Sequence, residues 1–268
     1  MTLQRDDYTA ASRDAWNVSA QHHREGEDWT KLTQGFAKPG FSCLDGVEAA
    51  VMGDLDVAGL DVAQICCNNG RELISVRNMG AARCVGFDQS DEFLQQGREL
   101  AALAGQDVEF VCSDVYKIGP EFDGAFDLVL ITIGVFGWMP DLKAFMELPA
   151  RLLKPGGRLV IHEEHPIINM FDPEHERPME PVLDYFRPEP LKEQGAIVYD
   201  GTPNETEATH WWFFHSLADV MTAALAAGLA LERFDEHPNN ISGVEWNIYH
   251  ERETNMPVSY VMVWCRND

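Results

Sequence analysis

From about residue 60 the chain alternates short apolar runs with stretches of helical period, and this rhythm limits the folds open to it. Five runs read as strands: "DVAQICC" (61–67), "RCVGFDQS" (83–90), "VEFVCSDV" (108–115), "FDLVLITIGV" (126–135) and "GRLVIHEE" (157–164). Helical stretches lie between them at 70–80, 91–105 and 141–153, with Pro149 expected to kink or divide the last. The fourth run is continuously apolar, as in a strand buried on both faces. Strand and helix in alternation argue for an α/β fold with a mostly parallel, doubly wound sheet. The rhythm breaks after residue 165. Residues 166–214 are rich in Pro, Glu and Asn, with "AIVYDG" and "HWWFFHS" as strands of a small hairpin. A helix at 216–228 and strands at 229–237 and 259–266 follow, bringing the sheet to seven strands. Residues 1–60 read as a helical cap, 61–165 as the core, 166–214 as an inserted cap, and 215–268 as completing the same single domain.

Composition narrows the partners. A net charge of -24 disfavours a phosphate backbone and an anionic membrane surface. No apolar run is long enough to span a bilayer, and the N-terminus has no signal-like stretch, so a cytoplasmic protein is expected. The six cysteines form no CxxC pair and no zinc spacing, and buried free thiols are the expected state.

In a doubly wound sheet, ligands bind at the C-terminal strand ends, and the first strand-to-helix turn is the usual place. That turn here is "ICCNNGRE" (65–72), with a single glycine, Gly70. A ligand crossing it needs close backbone approach and positive φ, which glycine meets best and asparagine next. Asn68 or Asn69 is expected in that conformation. Asp88 lies 18 positions after Gly70, at the end of the second run. A carboxylate there is placed to accept both hydroxyls of a ribose. Ser90 and Asp91 are available to cap the next helix in its stead. Asp114, in "CSDV", could accept from an exocyclic amine or simply serve a turn.

Taken together, "GFDQS", "FVCSDV", "FDLVLITIGVFGWMPDL" and "LLKPGGRLVIHEEHP" resemble a class I S-adenosylmethionine-dependent methyltransferase of the small-molecule type. The resemblance covers about residues 60–165 and implies a Rossmann-like methyltransferase fold with S-adenosylmethionine as cofactor. The family's opening loop runs D/E-x-G-x-G-x-G. The matching positions here are Gln64, Cys66, Asn68 and Gly70, so only the last glycine is kept. The resemblance puts the methionine part of the cofactor near these residues and Thr132 and Ile133. It puts the ribose at Asp88, and the adenine between Gln89 or Phe93 and Ser113, Asp114 and Val115.

Methyl transfer needs alignment, desolvation and, for many acceptors, a proton sink. "HEEHP" after the fifth strand offers His162, Glu163 and His165. Alternation puts Glu163 and His165 on one face and His162 on the other. His165 is the preferred base, because its ordinary pKa suits proton removal near neutrality. Trp16, Phe136, Trp138, His210 and Trp212 are expected to wall the acceptor. No ligand spacing such as HExxH supports a metal site, so none is assigned, while one at His22, His23, His162 or His165 is left open. The acceptor is expected to be a small molecule, with its atom and the oligomeric state left open. Two rivals remain: a nucleotide-dependent oxidoreductase, which would want a fuller G-x-G-x-x-G, and a non-catalytic binding protein on the same scaffold.

Overall fold

The computed structural model describes residues 3–172, 175–198, 206–238, 241 and 255–267. Three helices come first: α1 (Arg5–Glu25), α2 (Glu27–Phe36) and α3 (Gly46–Asp54). Then β1 (Asp61–Ile65), α4 (Arg71–Asn78), β2 (Arg83–Asp88), α5 (Asp91–Ala104), β3 (Glu109–Cys112), β4 (Phe126–Ile131), α6 (Leu142–Leu152) and β5 (Leu153–Glu164) alternate. A two-stranded ribbon of β6 (Leu191–Gln194) and β7 (Thr209–Trp212) leads to α7 (Leu217–Ala226), β8 (Leu229–His237) and β9 (Ser259–Arg266).

The main sheet has seven strands in the order β3-β2-β1-β4-β5-β9-β8. β1 to β5 pair in parallel, and β9 is antiparallel to both its neighbours. The chain winds outward from β1 to β3 and then returns beside β1 as β4. The switch point therefore lies between β1 and β4, where a crevice opens at the strand ends. Alternation along β4 serves two cores. Val129 and Ile131 face the layer that holds α6 and α7, whereas Leu128 and Leu130 face α3 and α4. A third cluster, including Phe36, Ile74 and Leu100, seats α2 between α4 and α5.

Several expected boundaries shift for local reasons. β1, β3 and β4 end two to four residues earlier than their apolar runs, because the chain turns at the ligand-bearing edge. α6 continues past Pro149 to Leu152, since the proline removes one hydrogen bond within a turn of the helix end. β5 starts at Leu153, not 157. Leu153 pairs with Phe126, the chain bulges through Gly156 at φ 74°, and pairing resumes at Arg158. The ribbon's first strand is Leu191–Gln194, not "AIVYDG". Gly195, at φ 127°, ends it, and Ile197 instead donates its N–H to Ser19 Oγ on α1 at 2.7 Å. Residues 199–201 of that stretch lie outside the described residues. All six cysteines are free; Cys67 and Cys84 are buried, Cys43, Cys66 and Cys265 are half-buried, and Cys112 is exposed on edge strand β3. No described helix is long and apolar enough to cross a membrane.

Gly97, inside α5, marks how closely this helix approaches the turn after β1. A Cβ there would sit 2.9 Å from the Asn69 carbonyl and 2.8 Å from the Phe110 ring. Replacing glycine by alanine in a helix interior ordinarily adds about 1 kcal/mol of stability. Here the backbone contact decides the sign. Gly97→Ala is expected to lower the thermal midpoint, as differential scanning calorimetry would record.

Candidate active site

The turn between β1 and α4 has positive φ at alternate positions: Cys66 (54°), Asn68 (51°) and Gly70 (63°). Residue 69 does not share it. Outside glycine this conformation costs about 1–2 kcal/mol, with asparagine among the residues that enter it most readily. Hydrogen bonds hold the turn. Asn68 N–H donates to Asp88 Oδ2 at 2.7 Å, and Asn69 N–H donates to the Asn68 side-chain oxygen at 2.8 Å. Cys67 N–H donates to Phe87 O at 3.0 Å, tying the turn to β2. Gly70 admits no replacement, since a Cβ would sit 2.5 Å from the Phe110 ring. Two non-glycine residues thus share the left-handed conformation with Gly70 in this turn.

Asp88 lies at the end of β2 with one oxygen toward the turn and the other accepting from Ser90 N–H at 2.9 Å. Burial pushes its pKa up, against the backbone hydrogen bonds that favour the carboxylate. Ser90, not Asp88, caps α5 by accepting from Phe93 N–H. Gln64 is fully buried. Its amide donates to Thr132 Oγ1 at 2.9 Å and approaches Glu72 Oε2 at 3.4 Å. Its Oε1 has no hydrogen-bond partner. An orphaned buried acceptor beside a carboxylate fits a cationic or N–H-bearing ligand group. Ile133 follows Thr132, half-buried at the same edge.

Helix α1 lies across this edge. Thr9 Oγ1 donates to Asp114 Oδ2 at 3.0 Å, and Ser90 Oγ donates to Asn17 Oδ1 at 2.6 Å. Asp114 also accepts from Tyr116 N–H, and Val115 is buried beside it. Ser113 N–H donates to Asp88 O at 2.8 Å, so the ends of β2 and β3 are joined. Gln89, with its amide oriented to satisfy both contacts, meets Thr9 O and Arg13 N–H of α1. Trp16 stands edge-on to Phe93 at 5.5 Å and to Trp138 at 5.3 Å. Trp138 meets Trp212 at 5.2 Å and His210 at 5.5 Å. An aromatic chain thus runs from α5 across α1 to the ribbon. Gly137 makes room for it, since a Cβ there would come within 2.3 Å of the Trp212 ring.

The three residues from "HEEHP" separate. Glu163 is buried, and its oxygens accept from the backbone N–H groups of Gly134, Val135, Phe136 and Glu164. It anchors the loop that carries Phe136 and Trp138. His165 accepts from Ile167 N–H at 3.1 Å through Nδ1, and its Nε2 meets Glu236 at 3.1 Å. Burial lowers its pKa, against the opposing pull of Glu236. His162 points to the opposite side of the sheet, toward Asp45 and Glu48 of the α3 N-terminus. His210 pairs with Glu193 at 3.1 Å. A cavity beside Glu163 is also lined by Phe136, Asn169, Trp212, His215 and Tyr260.

Sequence reasoning missed Glu72, Asn17, Tyr8 and the Asp45–Glu48 pair. Tyr8, Trp16 and His23 carried a signal, because steps of seven and eight place them on one helix face. Tyr8 packs edge-on to Trp211 and Phe213 at 5.3 and 5.1 Å. Glu72 sits in the first turn of α4 and carried no such signal.

Burial pushes the Glu163 pKa from its ordinary 4.5 to about 7, Glu164 adds to the rise, and the Gly134, Glu164 and Val135 N–H groups oppose it. A raised folded-state pKa means that the protonated form is favoured by folding. This contribution is full below the unfolded value and is lost as pH rises through the folded value. Wild-type stability is therefore expected to fall from about pH 4.5 to about 7, by roughly 3 kcal/mol at most from this group. Glu163→Gln should remove that part of the slope, read by urea denaturation of both proteins across this range.

The family model described as "Methyltransferase domain" matches residues 62–157. The chain is similar to a demethylmenaquinone methyltransferase of Lactococcus lactis, 31% identical over 124 residues, 45% of this chain and 48% of that protein. It is also similar to a ubiquinone biosynthesis O-methyltransferase of Xanthomonas oryzae, 30% identical over 107 residues, 40% of this chain and 44% of that protein. The chain spans about half the length of these curated relatives. Among solved structures, the magnesium protoporphyrin IX methyltransferase of Synechocystis, with S-adenosylhomocysteine bound, superposes with a TM-score of 0.60 at 16% identity. That match covers 97% of this chain and 100% of the other. A Burkholderia thailandensis 1,6-didemethyltoxoflavin-N1-methyltransferase superposes with a TM-score of 0.59 at 16% identity, covering 100% and 92%. Residues 62–157 thus match a methyltransferase domain, and the chain has the fold of class I S-adenosylmethionine-dependent methyltransferases.

Proposed function

We propose that the protein transfers a methyl group from S-adenosylmethionine to a small, flat acceptor. The observation that carries this reading is the turn after β1. Its backbone has positive φ at Cys66, Asn68 and Gly70, the positions of the family's three glycines, and Asp88 holds it. The bound cofactor would supply an activated methyl group and its leaving sulfur. Gln64 Oε1 and the Glu72 carboxylate would accept from its ammonium group, between Cys66, Gly70, Thr132 and Ile133. Asp88 would accept the ribose hydroxyls, since each of its oxygens keeps a lone pair beyond its one backbone contact. Gln89, Phe93, Ser113, Asp114 and Val115 would border the adenine. Loss of two glycines need not abolish this, because the backbone path is retained while the Cys66 and Asn68 side chains narrow it.

For the acceptor, the aromatic chain favours a planar molecule. Trp16, Phe136, Trp138, His210 and Trp212 would enclose it and exclude water. The relatives named for menaquinone and ubiquinone biosynthesis are in keeping with a planar acceptor. We assign the chemistry to alignment and desolvation. His165 is committed to Glu236 and Ile167, His162 faces away from the aromatic chain, and Glu163 is saturated by backbone N–H groups. Glu163 is a positioning residue in this scheme. Residues 1–60 and 166–214 would serve as the two covers of a single domain.

Calorimetric titration tests the reading. S-adenosylmethionine and S-adenosylhomocysteine are expected to bind in the micromolar range, weakened at least about tenfold in Asp88→Ala, the loss of a charged hydrogen-bond partner being worth about 1.5–3 kcal/mol. NAD, run as the control, should give no heat. Binding of NAD alone would turn the reading to an oxidoreductase. Binding of none of the three would leave a scaffold that has lost its cofactor. Trp138→Ala should leave cofactor affinity within about threefold and weaken any planar acceptor by at least about tenfold.

A further inference from the structure

We propose that Asp45, Glu48 and His162 form a binding site for a first-row divalent cation, of the kind represented by Zn2+ and Mn2+. The site lies on the α3 face of the sheet, away from the aromatic chain, and does not rest on the methyl-transfer reading.

Three features converge there. Asp45 caps α3 through one oxygen, Oδ1, which accepts from Val47 and Glu48 N–H at 2.7 and 2.8 Å. Its other oxygen is left facing His162 Nε2 at 3.8 Å. Glu48 stands three residues after the cap, the spacing that usually lets a glutamate reach back to the cap's own N–H. Its carboxylate instead faces His162 Nδ1 at 3.6 Å. His162 is 1% exposed, and neither ring nitrogen makes a hydrogen bond.

A buried imidazole without a partner is costly, so this is where an absent ligand would be sought. The contacts of 3.6 and 3.8 Å are too long for hydrogen bonds. They run to different ring nitrogens, so one ion would take a single nitrogen of His162 together with one oxygen from each carboxylate. One oxygen from each carboxylate and one ring nitrogen all lie within 4.8 Å of one another. Moving one carboxylate round to the ring nitrogen that the other faces completes a three-ligand site. The adjoining cavity, lined also by Leu44, Glu72 and Thr132, gives room for water as a further ligand.

Charge points the same way. Among the described residues, His162 is the only ion-pair partner of Asp45 and Glu48. A divalent ion would neutralise both carboxylates, one of them buried, and give one ring nitrogen of His162 a partner, leaving the other nitrogen to donate its proton to a carboxylate. One imidazole with two carboxylates suits Mn2+, Fe2+ or Zn2+ better than Mg2+ or Ca2+, and the absence of thiolate disfavours Cu+. The ion would clamp the start of α3 to the end of β5. Sequence spacing concealed the set, because Asp45 and Glu48 precede His162 by more than a hundred residues.

The test is titration of tag-free, chelator-treated full-length protein with ZnCl2 and with MnCl2, followed by calorimetry. One equivalent of at least one ion should bind and raise the thermal midpoint. Glu48→Gln and Asp45→Asn should each weaken that binding at least about tenfold, the size of effect that perturbing a metal site produces. Asparagine keeps the cap of α3, so Asp45→Asn should fold, and the circular dichroism of the metal-free variant would show it. If neither ion binds stoichiometrically to the wild type, the proposal is overturned. Equal affinity in both variants would place the ion elsewhere and overturn it equally.

Discussion

One carboxylate holds the candidate site together. Asp88 ends β2 with its two oxygens on backbone N–H groups, one from Asn68 and one from Ser90. The first fixes the turn between β1 and α4 in a conformation that non-glycine residues resist. The second fixes the entry to α5. The ends of β1 and β2 and the start of α5 are thereby registered to one another, and the end of β3 joins them where Ser113 N–H donates to the Asp88 backbone carbonyl. That anchor, with the Cys67 N–H bond to Phe87 O, opposes the strain at Cys66 and Asn68.

Around this anchor, close packing substitutes for the missing glycines. Gly70, Gly86 and Gly97 all border the Phe110 ring, which fills the space that their side chains would take. α5 can therefore lie directly on the turn. α1 then crosses the same edge, joined by hydrogen bonds from Thr9 to Asp114 and from Ser90 to Asn17. The aromatic rings of Trp16, Trp138 and Trp212 continue that cover toward the ribbon, each edge-on to the next.

β5 serves both sides of the sheet at its last turn of chain. Glu163 faces α6 and α7 and gathers the loop after β4 onto its carboxylate, while His162 faces α3 and meets Asp45 and Glu48. Adjacent residues thus anchor different layers, a consequence of the two-residue period of a strand. Buried ionisable groups thus lie on both faces of this strand end.

The sequence by itself determined the layers, since apolar runs and helical periods record which faces are buried. It located β8 and β9 to the residue, and it marked Asp88 and Asn68 by their offsets along the chain. Alternation also separated His162 from Glu163. It could not show that Cys66 shares the left-handed conformation, because a cysteine carries no local preference for it and only contacts from β2 impose it. Nor could it show that Gly195 diverts "AIVYDG" toward α1, or that Asp45 and Glu48 meet His162. Those outcomes depend on surfaces brought together across more than a hundred residues of chain, and local periodicity carries no information about them.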